Sequence, residues 1–187
     1  MYNGQRLERP VMGQVLIPYQ STWKYAPEGT TPASNWPTVA FSDAAWPSGQ
    51  GAFGFGPHAY HTLLQRGPGN APPNYPVFYF RKSVSIPSVA AYPSYRLRAF
   101  VDDGAVVYVN GVEVARKNVN PSNPNFPYTG AAGDSLVIDT LLNASLFQNG
   151  TNVIAVSVHQ TGSTSSDLLF DLQLEGVSSG SMVLPYQ

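Results

Sequence analysis

Along residues 166–175 apolar side chains fall at every second position: Leu168, Phe170, Leu172 and Leu174 alternate with Asp171, Gln173 and Glu175. Successive side chains of an extended chain point to opposite faces, so this spacing predicts a β-strand with one buried and one solvated face. NVIAVSVHQ at 152–160 repeats the pattern, with Ile154, Val156 and Val158 inward, Ser157 and His159 opposite, and an Asn149-Gly150 turn ahead of it. VFYFRKSVSI (77–86) and YRLRAFV (95–101) predict two further strands. The second sets Leu97, Ala99 and Val101 against Arg96, Arg98 and Phe100, and outward arginines suit a solvated sheet face.

VDDGAVVYVNGVEVAR (101–116) predicts a β-hairpin. Asn110 and Gly111 both tolerate the positive φ angles that a type I′ turn demands, and alternating apolar residues flank them. Asp102, Asp103 and Gly104 form the turn leading into it, where carboxylates can bond nearby backbone N–H groups. Apolar residues recur at helical spacing nowhere for long. DTLLNASLF (139–147) alone could make a helical turn or two, capped by Asp139 or Thr140. The pattern as a whole is that of an all-β protein.

Two stretches break the alternation. Residues 27–76 are dense in Gly and Pro, and 118–133 (NVNPSNPNFPYTGAAG) form a second irregular segment. Loops of this length in a compact domain are often functional. Phe53, Phe55, Tyr60, Phe126 and Tyr128 provide aromatic anchors that can pack them down.

Composition narrows the function classes. A chain of 187 residues, 43% hydrophobic and 12% aromatic, can close one core. Charged residues make up 11%, against about 25% in ordinary soluble domains. The surface is therefore polar but weakly charged. A formal net charge of -1 provides no basic footprint for a phosphate backbone, which argues against nucleic-acid binding. No run approaches the roughly 18 apolar residues of a membrane helix. Without cysteine there is neither a disulfide framework nor a thiolate metal site. Arg6, Glu8, Arg9 and Pro10 stand where a signal peptide would need an apolar stretch, so no export signal is expected.

FSDAAWPSGQGAFGFG (41–56), FYFRKSVSI, RLRAFVDDGAVVYVNGVEVAR, NGTNVIAVSVHQ and SSDLLFDLQLEG (165–176), in that order, resemble the galactose-binding-like jelly-roll domains. Such sandwiches accompany catalytic domains in secreted bacterial glycoside hydrolases and phosphoesterases, and family 2 glycosidases. The resemblance implies an all-β fold, a single jelly-roll β-sandwich over residues 23–176. Residues 1–22 and 177–187 would then be flanking arms or edge strands, each containing Pro-Tyr-Gln. The fold hosts glycan binding, protein docking and structural roles alike. It often carries a structural calcium, for which the resemblance makes Asp102 or Asp103 a candidate ligand.

Catalytic constellations are missing. Asp102 and Asp103 point oppositely in extended chain, and Asp167 and Asp171 stand about 13 Å apart at strand rise. Neither pair matches the carboxylates of a glycosidase. A G-x-S-x-G elbow is absent, and GQGAFGFG lacks the Lys-Ser/Thr of a phosphate loop. His58 and His61 could meet at one metal only with a third ligand such as His159, and nothing in the sequence joins those regions. The expectation is no enzyme activity, no cofactor and no metal.

Flat aromatic rings in loops can stack on a sugar face. Trp46 reads as core, and Trp36, Tyr60, His61, Phe126 and Tyr128 are the candidate ligand-binding residues. Two functions follow. The favoured one is a non-catalytic bacteriophage virion component, a head-decoration or tail-associated protein on the particle surface. It would assemble in the host cytoplasm, dock on other virion proteins or on itself, and bind cell-surface glycans weakly. It rests on an initiator Met, the missing export signal and an exoplasmic type of module. The alternative is a secreted carbohydrate-binding module of a bacterial glycoside hydrolase.

Overall fold

Pairing the alternating strands brings their apolar rows onto a common core between two sheets. The computed structural model describes residues 13–120 and 136–178. In chain order the strands are β1 (Gln14–Ile17), β2 (Thr22–Tyr25), β3 (Ser48–Gln50), β4 (Phe53–Phe55), β5 (Thr62–Leu63) and β6 (Val77–Ile86). They continue with β7 (Ser94–Asp102), β8 (Gly104–Val109), β9 (Val112–Lys117), β10 (Leu136–Asn143), β11 (Gly150–His159) and β12 (Leu168–Val177). Sheet A runs β10-β7-β12-β4-β5, with β1 also paired to β12; sheet B runs β3-β2-β6-β11-β8-β9. The protein is an all-β, two-sheet sandwich, and a jelly-roll is compatible with this strand order. Among the described residues all pairings are antiparallel except β4 with β5.

Side chains of period 2 fill the space between the sheets. Leu97, Ala99 and Val101 of β7 meet Ile154, Val156 and Val158 of β11 within one buried cluster, as the alternation predicts. Phe80 from sheet B stacks on Phe170 from sheet A at 4.4 Å between ring centroids, and Trp23 meets Phe170 edge-on at 5.2 Å. Offset and edge-on pairs of this kind add about 0.5–1.5 kcal/mol each beyond their buried area.

The expected hairpin forms, with φ of 51° at Asn110 and 91° at Gly111. Its asparagine also ties down the neighbouring strand. Asn110 Oδ1 accepts from Val153 N at 2.9 Å, while its Nδ2 donates to Asn152 Oδ1 at 2.8 Å. The turn before it crosses from sheet A to sheet B, and there Asp103 Oδ2 accepts from Thr161 N at 2.7 Å and Ser165 Oγ at 3.0 Å.

One expected element changes class. Residues 136–143 form β10, paired with β7 along its length, and only Ala144–Leu146 turn as a 3-10 helix. Inward Ile138 and Leu142 are four apart, a spacing compatible with either a strand or a helix. The continuous ladder with β7 settles it, and places Asp139 beside Arg96 and Arg98 on the outer face. The short helix is capped by Asn143, whose side chain accepts from Ser145 N, in place of Asp139 or Thr140.

Candidate functional site

A large part of the outer face of sheet B is covered. On β11 the row opposite the core, Val153, Ala155, Ser157 and His159, is buried as completely as the core row itself. His159, expected on an open face, is 4% exposed. The cover is the segment between β2 and β3. It leaves the sheet through Ala26 N donating to Tyr79 O and then folds through tight turns: Trp36 N to Ala33 O, Thr38 N to Asn35 O and Trp46 N to Asp43 O. Pro, Asn, Ser and Thr supply those turns, and the hydroxyls of Thr30 and Thr38 reinforce them by donating to carbonyls three residues back.

Arg81 holds this cover down. It projects outward from β6 yet is 2% exposed. Its Nε donates to Asp43 Oδ2 at 2.9 Å, and its Nη atoms donate to the carbonyls of Trp36, Thr38 and Phe41. The guanidinium also lies over the Phe41 ring, 5.1 Å from its centroid. A planar fork with five donors suits three carbonyls and a carboxylate at once, which a lysine could not match. Trp46, read as core, is buried here beside Phe41, in a second apolar cluster outside the sandwich.

Between cover and sheet lies a cavity of about 430 Å³. Thr31, Ser34, Trp36 and Thr38 line it from the cover, Tyr79, Tyr108, Ser157 and His159 from the strands, and Gly111 from the hairpin tip. Tyr79 and Ser157 are register partners on adjacent strands. Ser157 Oγ lies 2.9 Å from His159 Nε2. Burial pushes the hydroxyls of Tyr79 and Tyr108 above the usual tyrosine pKa, so both stay protonated as donors. Among its lining residues there is neither a carboxylate nor a Lys or Arg. The site offers aromatic surface and uncharged hydrogen-bonding groups, and no acid–base pair for glycoside cleavage.

Of the five candidate ligand-binding residues, only Trp36 lines this cavity. Its expected surface position is corrected: it is 8% exposed and packs edge-on against Tyr79 at 5.1 Å and Tyr108 at 5.7 Å, because Arg81 draws its carbonyl onto the sheet. It forms a wall of the cavity. Tyr60 and His61 lie between β4 and β5, at the edge of sheet A. Tyr60 anchors its own loop by donating to Phe55 O at 2.7 Å, and burial pushes its hydroxyl pKa up to about 12. His61 is exposed. Phe126 and Tyr128 lie outside the described residues. The three histidines considered for a metal form no common ligand group among the described residues. His58 pairs with Asp167 at 3.4 Å, while His159 is on the other sheet.

The alternation missed Tyr79, Arg81, Tyr108 and Ser157. A signal was present: Val153 and Ala155 place apolar residues on the supposed polar face of NVIAVSVHQ, and a strand apolar on both sides is buried on both sides.

Neither a family model nor a curated protein matches the chain. Solved structures do. A glycosyl hydrolase family 2 member from Bacteroides cellulosilyticus aligns with TM-score 0.58 and 15% identity over 90% of this chain and 21% of its own. The Bacteroides uniformis beta-glucuronidase gives 0.58 and 16% over 89% and 18%. The Ruminococcus gnavus beta-glucuronidase gives 0.55 and 14% over 95% of this chain. The chain thus spans less than a third of these glycosidases, and the likeness establishes that it has the fold of a β-sandwich portion within them.

Proposed function

We infer that the protein is a non-catalytic carbohydrate-binding module that takes an uncharged sugar between the cover segment and sheet B. The observation that carries this reading is the cavity itself: three aromatic side chains, with Ser, Thr and His donors and acceptors and no charged carboxylate or ammonium among its lining residues. Its volume falls within the roughly 300–1,000 Å³ of small-molecule sites. Apolar C–H faces of a pyranose suit Tyr79 and Tyr108, and its hydroxyls suit Thr31, Ser34, Ser157 and His159. A uronate would bring a carboxylate with no cation to meet it, so a neutral sugar is the better fit. The fold shared with portions of larger glycosidases supports an accessory role beside a carbohydrate-active catalytic unit. The virion assignment draws no support from these neighbours.

Calorimetric titration with glucose, galactose, cellobiose and glucuronate tests the reading. At least one neutral sugar should bind, Tyr108→Ala and His159→Ala should each weaken it about ten-fold or more, and glucuronate should not compete. Absence of saturable binding by every neutral sugar, or binding indifferent to both substitutions, would refute it.

A further inference from the structure

At one end of sheet A, where β7, β12 and the β4–β5 connection come together, three segments distant in sequence bring metal-ligating side chains close to one another. His58 comes from the β4–β5 connection, Asp102 from the end of β7 and Asp167 from the approach to β12. One donor atom from each lies within 4.8 Å of the other two. We propose that His58, Asp102 and Asp167 bind a divalent transition-metal ion of the Zn²⁺ class, which ties these three segments together.

Backbone geometry puts the donors there. Gly56, at φ +108°, lets the chain pass so close to Asp167 that a Cβ at Gly56 would sit 2.3 Å from the Asp167 Cβ. Gly54, at φ +157°, likewise presses against Leu168 O and the Tyr60 ring. Tyr60, fixed by its bond to Phe55 O, meets the His58 imidazole edge-on at 6.1 Å between ring centroids. The glycines of FGFG therefore serve close approach, and close approach delivers His58 to the two carboxylates.

Spacing and chemistry select the ion. His58 Nε2 and Asp167 Oδ2 are 3.4 Å apart. That is long for a charge-assisted hydrogen bond. It matches the separation of about 3.4 Å between neighbouring donors on a tetrahedral ion with bonds near 2.1 Å. One imidazole with two carboxylates is a mixed nitrogen and oxygen set, suited to Zn²⁺ and unlike the all-oxygen shells of Ca²⁺ and Mg²⁺. A calcium of the kind the resembling fold often carries does not fit here, since a histidine completes the set and the Asp103 carboxylate braces Thr161 and Ser165. Three protein donors leave a fourth position for water.

The test uses the full chain after dialysis against EDTA, with isothermal titration and thermal melts in ZnCl₂, CaCl₂ and MgCl₂. Zn²⁺ should bind at one equivalent and, at roughly 100 times its Kd, raise Tm by about 5 °C or more. CaCl₂ and MgCl₂ should leave Tm unchanged. His58→Ala and Asp167→Asn alter partly exposed residues, and each melts against its own metal-free baseline, so loss of folding and loss of metal are read separately. Both should weaken Zn²⁺ binding about ten-fold or more, while His61→Ala should not. Failure of saturable Zn²⁺ binding, equal binding by both variants and the parent, or a Tm response to Ca²⁺ matching that to Zn²⁺ would each overturn the proposal.

Discussion

Arg81 and Arg96 occupy equivalent places in the strand pattern, each pointing away from the core on a central strand of its sheet, yet they live in opposite environments. Arg81 is 2% exposed and sealed under the segment between β2 and β3 by four hydrogen-bonding partners. The Arg96 side chain is 40% exposed and joins Asp139 through a bidentate pair at 2.8 and 2.7 Å. Around Arg96 the outer face of sheet A stays open, with Leu141 65% exposed. Around Arg81 the outer face of sheet B carries a second apolar cluster and the cavity. Alternation tells which way a side chain points. What covers that face depends on a distant segment.

The sharpest way to break this contrast is Arg81→Met, which keeps most of the stem and removes the guanidinium. Three buried carbonyls and Asp43 lose their donor, so unfolding free energy should fall by about 3 kcal/mol, read by urea denaturation. Sugar binding should vanish with it, because Trp36 is no longer held against Tyr79 and Tyr108. A loss below about 1 kcal/mol, within the range of surface ion pairs, would show that the cover is held by its apolar cluster instead.

A milder probe acts on the cover from the hairpin side. Gly111→Ala places a Cβ 2.9 Å from Thr38 Cγ2 at a φ of +91°. It should cost about 1 kcal/mol, by the same denaturation measurement, and weaken sugar binding more than it lowers stability. An unchanged sugar affinity would detach the hairpin tip from the site.

The smallest effect belongs to the open face. Arg96→Met should cost no more than about 0.5 kcal/mol, and less in high salt. The pH dependence carries a defined sign. Hydrogen bonds from Arg96 hold the Asp139 carboxyl below its ordinary 3.8, so its contribution is present above that pH and is lost as pH falls through the depressed value. Asp171 on the same sheet behaves oppositely. Burial raises its pKa, so ionising it weighs against the fold as pH climbs through 3.8 toward the raised value. Denaturation between pH 2 and 6 should lose the first dependence in Asp139→Asn and the second in Asp171→Asn. Identical profiles in all three proteins would remove both groups from the account.

Legibility in the sequence followed the range of the interactions involved. The core rows of β7, β11 and β12 and the Asn110-Gly111 hairpin were readable because their signals are local: a period of two, and two residues that accept positive φ. β10 was misread because its strand identity is conferred by backbone pairing with β7, whose partner residues lie some 35 to 49 positions away. At the cavity only Trp36 was identified, and it was expected on the surface although it is buried. Tyr79, Tyr108 and Ser157 looked like ordinary outward residues until a segment from elsewhere roofed them. His58 was singled out beside His61, but its partners prove to be two aspartates that the sequence separates from it by more than 40 positions.

By itself, then, the order of apolar and polar residues determined an all-β chain with inward rows able to close a sandwich, since strand geometry repeats every two residues and needs no distant information. The tertiary structure alone decided that the outer face is covered around Arg81 and open around Arg96, where a cavity forms, and which histidine meets carboxylates. Those outcomes come from contacts between segments far apart in the chain, and such contacts leave no periodic trace in either segment.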